Sequence, residues 1–275
     1  VVLLLALFDW RQPPWLLALT LLWSIIFYHS ARTALLGQFA GPVFLFVAAS
    51  LLALKRGRDG WAGLFLALAT VKPQMVFLLI PPLLWWTAIH RRWWFWWGFG
   101  GMMAGLTAVS FLLLPGWLAG FVRQVSYYPD YTVTGPPVWV ITGYLFPVLG
   151  KPVEWALSLA LLGWTVWQWR HLPRLTLDSP RYWLIIGLTL VVTNSVILRT
   201  ATTNYVVMYV PLLLGLKWLA EWYGRGWVAV FFLVSIVSLW ALFFATVQGD
   251  FEHPLMYLPL PVGILVWLAV AQRRI

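Results

Sequence analysis

Few side chains in this sequence could do chemistry, and they fall in groups. Lys72-Pro73-Gln74 stands between two apolar runs. A lysine in or beside a membrane is costly and tends to be functional. Here it could neutralise a phosphate, helped by backbone N–H groups freed where proline breaks a helix. The plainer alternative is a lysine that snorkels to the headgroups. Arg199 follows an apolar run containing Asn194, and Thr200, Thr202, Thr203 and Asn204 come after it. A guanidinium fork suits phosphate or carboxylate, and hydroxyls with an amide suit a sugar; the alternative is a solvated turn with helix caps. Gly37-Gln38 begins another apolar run, where a glycine that eases the helix start is the plain reading. Arg123 and the stretch Tyr127-Tyr128-Pro129-Asp130-Tyr131 share one loop. Aromatic rings stack on sugar faces and Asp130 could serve as a base, or the tyrosines simply anchor the loop among headgroups. Asp250, Glu252 and His253 complete the acid–base inventory. Their spacing is no zinc signature. His253 could shuttle a proton or contact a phosphate, or be a loop residue without a role.

What positions these residues is a membrane. Hydrophobic residues make up 62% of the 275 and charged ones 9%, against roughly 25% charged in soluble domains. Runs such as Val43–Leu54 and Trp227–Val247 lack the alternation of a barrel strand, so the class is all-α, a polytopic helical bundle. The net charge of +10 would suit nucleic acid only on a continuous basic face. Instead the basic residues lie in short clusters between apolar runs, as at Lys55-Arg56-Gly57-Arg58, Arg91-Arg92 and Arg273-Arg274, which is how topology is set. No cysteine is present, and many of the 22 tryptophans flank the clusters, as at Trp93, Trp94, Trp96 and Trp97, where an interfacial belt belongs. The sequence opens on valine within an apolar run, so the natural N-terminus is expected upstream.

A span needs roughly 20 residues. The apolar runs predict a partial span at 1–8, then 14–30, 39–54, 60–71, 74–90, 93–114, 153–169, 182–198, 205–221, 227–247 and 256–271: roughly ten plus a partial one, in a single domain over 1–275. Segment 138–149, bounded by prolines, reads as re-entrant or interfacial. Residues 60–90 decide the topology. As one helix they would extend about 45 Å, long for a single crossing. Reversal at Pro73 puts 13 of the 18 basic residues on one side, whereas a single long span leaves seven there. The positive-inside rule favours the hairpin. Gln38, Lys72, Gln74, Arg123, Asp130, Arg199, Asn204 and His253 then share the opposite, extracytoplasmic face.

The order Leu36-Gly37-Gln38, an apolar span, Lys55-Arg56-Gly57-Arg58, Trp61-Ala62-Gly63-Leu64 and Ala67-Leu68-Ala69-Thr70-Val71-Lys72-Pro73-Gln74 resembles glycosyltransferase family 87, of the multi-helix C-type (GT-C) superfamily. That family shows Gly-Gln-x-Asn, a span, a basic loop and a small-residue-rich helix ending in Lys-Pro. The run Thr202-Thr203-Asn204-Tyr205 with Pro211-Leu212-Leu213-Leu214 resembles a second stretch, where His-Tyr often precedes an apolar run with proline. Ala40 stands where the family usually has asparagine, and Asn204 where histidine is common.

The resemblance implies a GT-C-like membrane glycosyltransferase. It would move a hexose, often mannose, from a polyprenyl-phosphate donor to a glycan or glycolipid acceptor, with inversion and without metal or cofactor. The expected setting is a prokaryotic plasma membrane, with the active site outside. The substrate-binding candidates are Lys72, Arg199, Gln38, Gln74, Asn204 and Arg123. The family's catalytic aspartate lies in the first extracytoplasmic loop, expected upstream of residue 1, which leaves only Asp130 and His253 as weaker catalytic candidates here. Expected partners are the bilayer and the lipid-linked sugar, with no nucleic acid. Two other readings compete: a transporter or flippase for a lipid-linked saccharide, favoured by the broken helix at Pro73, and a non-catalytic membrane scaffold.

Overall fold

The computed structural model describes residues 1–131, 135–196, 200–249 and 252–274, without the side chains of 128–131. Among the described residues there are fourteen helices and no strand. In order they are α1 (Val2–Leu7), α2 (Pro14–Ile26), α3 (Tyr28–Leu35), α4 (Ala40–Lys55), α5 (Asp59–Ala69), α6 (Ile80–Ile89), α7 (Trp93–Leu113) and α8 (Trp117–Tyr131). There follow α9 (Pro137–Leu145), wound as π-helix over Val140–Leu145, then α10 (Gly150–Trp169), α11 (Pro180–Val196), α12 (Tyr209–Tyr223), α13 (Arg225–Thr246) and α14 (Pro259–Gln272).

Four of the first six helices stop in the same way. After α3, Gly37 turns left-handed at φ 58°. Its N–H bonds Ala34 O at 3.1 Å and the Gln38 N–H reaches back to Thr33 O at 3.0 Å, which satisfies carbonyls the helix end would orphan. Gly57 does the same after α4, at φ 72°. Asp9 after α1 and Arg91 after α6 adopt the same turn at φ 50° and 52° without being glycine. Gly37-Gln38 therefore closes one helix before α4 opens at Ala40, rather than simply starting a span.

The chain does reverse between α5 and α7. Asp59 at the start of α5 pairs with Arg92 just before α7, Nε to Oδ2 at 3.0 Å. Just past the other end of α5 the Thr70 hydroxyl meets Sδ of Met103, midway along α7, at 3.3 Å. The two helices are parallel, so residues 71–91 carry the chain back. Glycine permits their close approach: a Cβ on Gly63 would lie 2.0 Å from the Phe95 carbonyl oxygen, and one on Gly98 2.1 Å from that of Gly60. Without a hydrophobic drive between helices in lipid, such backbone proximity is how they gain packing energy. The returning arm is not the continuous helix expected over 74–90. Pro73–Met75 is a 3₁₀ turn and α6 begins only at Ile80.

Residues 182–195 of α11 are buried on every side, and so is the 3₁₀ segment Thr202–Met208 that leads into α12. These form the centre, with α1, α4, α10, α13 and α14 around them. In contrast Phe95 is the one buried residue of α7.

By length and composition, four segments can cross a membrane: Trp93–Leu113, Thr202–Tyr223, Arg225–Thr246 and Pro254–Gln272. There are six if two bent pairs each count as one span, α2 with α3 bent by 50°, and Pro137–Leu145 with Pro147–Arg174 bent by 97°. The molecule is thus an integral, multi-pass membrane protein with fewer full-length spans among the described residues than the roughly ten apolar runs suggested. Two physical reasons account for the difference. The run 14–30 is broken at Phe27, whose ψ is 133°, and α4, α5 and α6, with 16, 11 and 10 residues, reach only about 24, 16 and 15 Å of a hydrocarbon layer about 30 Å thick.

Candidate functional site

The side chains with chemical potential gather at one end of the bundle. The turn after α3 presents Gln38, and the reversal after α5 presents Lys72. The Lys72 Nζ donates to Gln38 Oε1 at 3.2 Å. Lys72 is half-buried, and desolvation lowers its pKa from the usual lysine value, so an anion beside it would be strongly favoured. Gln74, half-buried, sits in the adjoining 3₁₀ turn. That turn rests on the end of α11, where Asn194 Nδ2 donates to Met75 O at 3.4 Å.

One helical turn before Gln38 lies a second constellation. Glu252 is buried. Its Oε1 is 2.9 Å from Arg32 Nε and accepts from the hydroxyls of Tyr28 and Thr202, while the Tyr257 hydroxyl reaches Oε2 at 3.4 Å. The Arg32 guanidinium also lies 5.3 Å from the centre of the Phe243 ring. His29 Nδ1 is 3.0 Å from Thr202 O, and because a carbonyl only accepts, Nδ1 carries the proton there. The Thr33 hydroxyl donates to Thr203 O at 3.1 Å. The result is a helix, α3, bolted to the 202–208 segment and to the 252–257 segment. The charges pair as intramembrane charges must.

The candidates meet different fates. Gln38 and Lys72 are brought together. Asn204, a substrate-binding candidate for which a solvated turn was the plainer alternative, is buried, its Nδ2 donating to Thr200 Oγ1 at 3.1 Å; the backbone of this 3₁₀ segment is bonded by His29 and Thr33 of α3. His253 is tied into the fold: its Nε2 is 2.8 Å from the Tyr144 hydroxyl and its Nδ1 accepts from Leu255 N at 3.3 Å. A proton-shuttle role would have to break one of these bonds. Arg123 stands on α8, where every described side chain from Trp117 to Tyr127 is exposed except that of half-buried Trp117, and no bond ties it to Gln38 or Lys72 among the described residues. Arg199 lies outside the described residues, and so does the Asp130 side chain. No group of three histidine, aspartate or glutamate side chains that could hold a metal ion occurs among the described residues.

Tyr28, His29, Arg32, Thr202 and Glu252 were not singled out as a unit from the sequence. A signal for part of it exists: Tyr28-His29-Ser30-Ala31-Arg32-Thr33 is a polar stretch in an apolar half, with Tyr28 and Arg32, and His29 and Thr33, spaced to share helix faces.

Residues 1–137, half of the chain, match the model of glycosyltransferase family 87. The chain belongs to glycosyltransferase family 87. Membership in this family implies glycosyltransferase activity, an enzyme rather than a transporter or a scaffold. The matched stretch holds His29, Arg32, Gln38 and Lys72, while Glu252, which pairs with Arg32, and Thr202, which bonds His29, come from beyond it. No curated protein and no solved structure matches the chain.

Beneath this end, α12, α13 and α14 leave an apolar cavity of about 420 Å³ lined by Phe27, Leu212, Gly215, Val234, Leu260 and Trp267 among others.

Proposed function

We propose that this family 87 enzyme transfers a hexose, mannose-like, from a polyprenyl-phosphate donor to an acceptor hydroxyl on the extracytoplasmic side, with inversion and without a metal, on a GT-C-like bundle. The observation that carries the reading is the half-buried Lys72 ammonium held beside Gln38. The acceptor oxygen attacks the anomeric carbon, the bond from that carbon to the phosphate oxygen breaks, and a general base takes the hydroxyl proton. The leaving phosphate carries the developing charge, and Lys72 is placed to stabilise it. Its desolvation strengthens that interaction, because a charge partner is worth more out of water.

Gln38 fixes the ammonium and offers its amide to a sugar or phosphate oxygen. Gln74, Asn204, Arg123 and Arg199 remain further candidates for donor or acceptor contacts. The apolar lining of the cavity between α12, α13 and α14 suits an isoprenoid tail. The general base is not assigned.

The test is sugar transfer from a polyprenyl-phosphate sugar by membranes carrying the full-length natural protein, as parent or as Lys72→Ala. The variant is expected to insert at the parent level and to lose activity by two orders of magnitude or more, the scale of losing one transition-state charge partner. Parent-like turnover by Lys72→Ala would remove the lysine from the site.

A further inference from the structure

The opposite end of the bundle carries an arrangement that glycosyl transfer does not use. The turn from α4 to α5 and the start of α7 form a cleft of about 360 Å³ lined by Gly57, Arg58, Asp59, Gly60, Trp61 and Trp94. One wall is fixed from within, since Arg92 pairs with Asp59 and donates from Nη2 to Leu54 O at 2.8 Å. The rest of the cationic charge faces outward. Arg56, Arg58 and Arg91 are exposed, and among the described residues no acidic side chain pairs with any of them. The aromatic rim is exposed too: Trp61, Trp93, Trp94 and Trp97 each show more than half of their surface, Trp94 and Trp97 over 70%.

The backbone adds an independent indication. Of the four left-handed ends among the first six helices, two use glycine. Asp9 is a non-glycine residue in that conformation whose carboxylate is used, bonded to Lys55 Nζ at 2.6 Å. Arg91 is the other, at φ 52°, although glycine would fit there without strain. A strained non-glycine residue points to a use for its side chain. Arg91 has no acidic partner among the described residues, and it is next to the arginine that braces the cleft.

We propose that this cleft binds the headgroup of an anionic phospholipid. The phosphodiester would lie between the guanidinium groups of Arg58 and Arg91, which suit phosphate oxygens. Trp61 and Trp94 would hold the glycerol and ester level, where indole rings sit. The surface is polar and cationic at its mouth and aromatic at its sides. That matches an anionic lipid at an interface and not a zwitterionic one, whose choline or ethanolamine would meet three unpaired arginines.

The experiment retains lipid on the purified full chain in detergent and counts it by native mass spectrometry, with phosphatidylglycerol and phosphatidylcholine supplied in parallel. The parent chain is expected to retain phosphatidylglycerol in preference. Arg58→Ala should weaken that retention about fivefold and Arg58→Ala with Arg91→Gly about thirtyfold, at roughly the strength of one juxtamembrane basic residue each. Arg91→Gly separates binding from folding. Glycine relieves the left-handed turn, so this variant should melt no lower than the parent while still losing phosphatidylglycerol about fivefold. Equal retention of both lipids by the parent, or undiminished phosphatidylglycerol on the doubly substituted chain, would overturn the proposal.

Discussion

The two ends of the bundle solve the problem of charge in opposite ways. At the end with Lys55, Arg92 and Lys217, ion pairs are local braces: Lys55 with Asp9 and Arg92 with Asp59 join neighbouring helices, and Lys217 meets Glu221 one turn away within α12. Many arginines there face outward. At the other end one buried carboxylate, Glu252, gathers Arg32, Tyr28, Thr202 and Tyr257, and among the described residues Lys72 is bonded to a neutral partner, Gln38. The first end is a topological anchor with charge to spare. Among the described residues the second pairs Arg32 with Glu252 inside the bundle and leaves Lys72 desolvated without an acidic partner, which is the feature the proposed phosphate contact rests on.

The comparison can be broken first at Glu252. Replacing it by alanine removes this acceptor from the half-buried Arg32 guanidinium and from the hydroxyls of Tyr28, Thr202 and Tyr257, and removal of one partner from a buried pair costs about 3–5 kcal/mol. Glu252→Ala should therefore lower the melting temperature of the detergent-solubilised chain more than any change at the anchor end. A melting temperature within a degree of the parent would show that the cluster is not the structural hub.

A smaller loss, about 1–3 kcal/mol, is expected for Gly63→Ala, whose added Cβ would fall 2.0 Å from the Phe95 carbonyl oxygen and pry α5 from α7. Thermal unfolding reads it, and unchanged stability would mean that the helices do not touch there.

The smallest effect belongs to the exposed brace. The hydrogen bond from Lys55 holds the Asp9 pKa below its ordinary value. For a carboxylate depressed on folding, the stabilisation is present above the unfolded pKa and fades as pH falls through the folded one. Because Asp9 is mostly exposed, the brace is worth under about 1 kcal/mol. Asp9→Asn should narrow the acid loss of stability slightly, and the difference should shrink in high salt. A large, salt-independent effect would place the pair in the interior instead.

Much of this was legible in the sequence. The helical membrane class follows from composition, and the reversal at Pro73 from proline chemistry and the distribution of arginines. The pairing of Gln38 with Lys72 accords with their common side, although they are 34 positions apart. What was not legible is where apolar runs break. Phe27 interrupts α2 and α3 with no proline or glycine at the break, because Tyr28, His29 and Arg32 must turn toward partners more than 170 residues away. The polar neighbours of Asn204 suggest a turn at the outer face, and only tertiary contacts bury that turn. Glu252 lay in a hydrophilic loop whose role depends on Arg32, and long-range charge partners leave no periodic trace.

The absence of any native cysteine allows the central claim, that the polar groups share one membrane face opposite the arginine-rich end, to be tested with single cysteines. In sealed vesicles of known orientation, Gln38→Cys and Gln74→Cys should react with an impermeant maleimide from the same side, and Arg56→Cys only from the other. Reaction of Gln38→Cys and Gln74→Cys from opposite sides, or of Arg56→Cys and Gln74→Cys from the same side, would contradict the account.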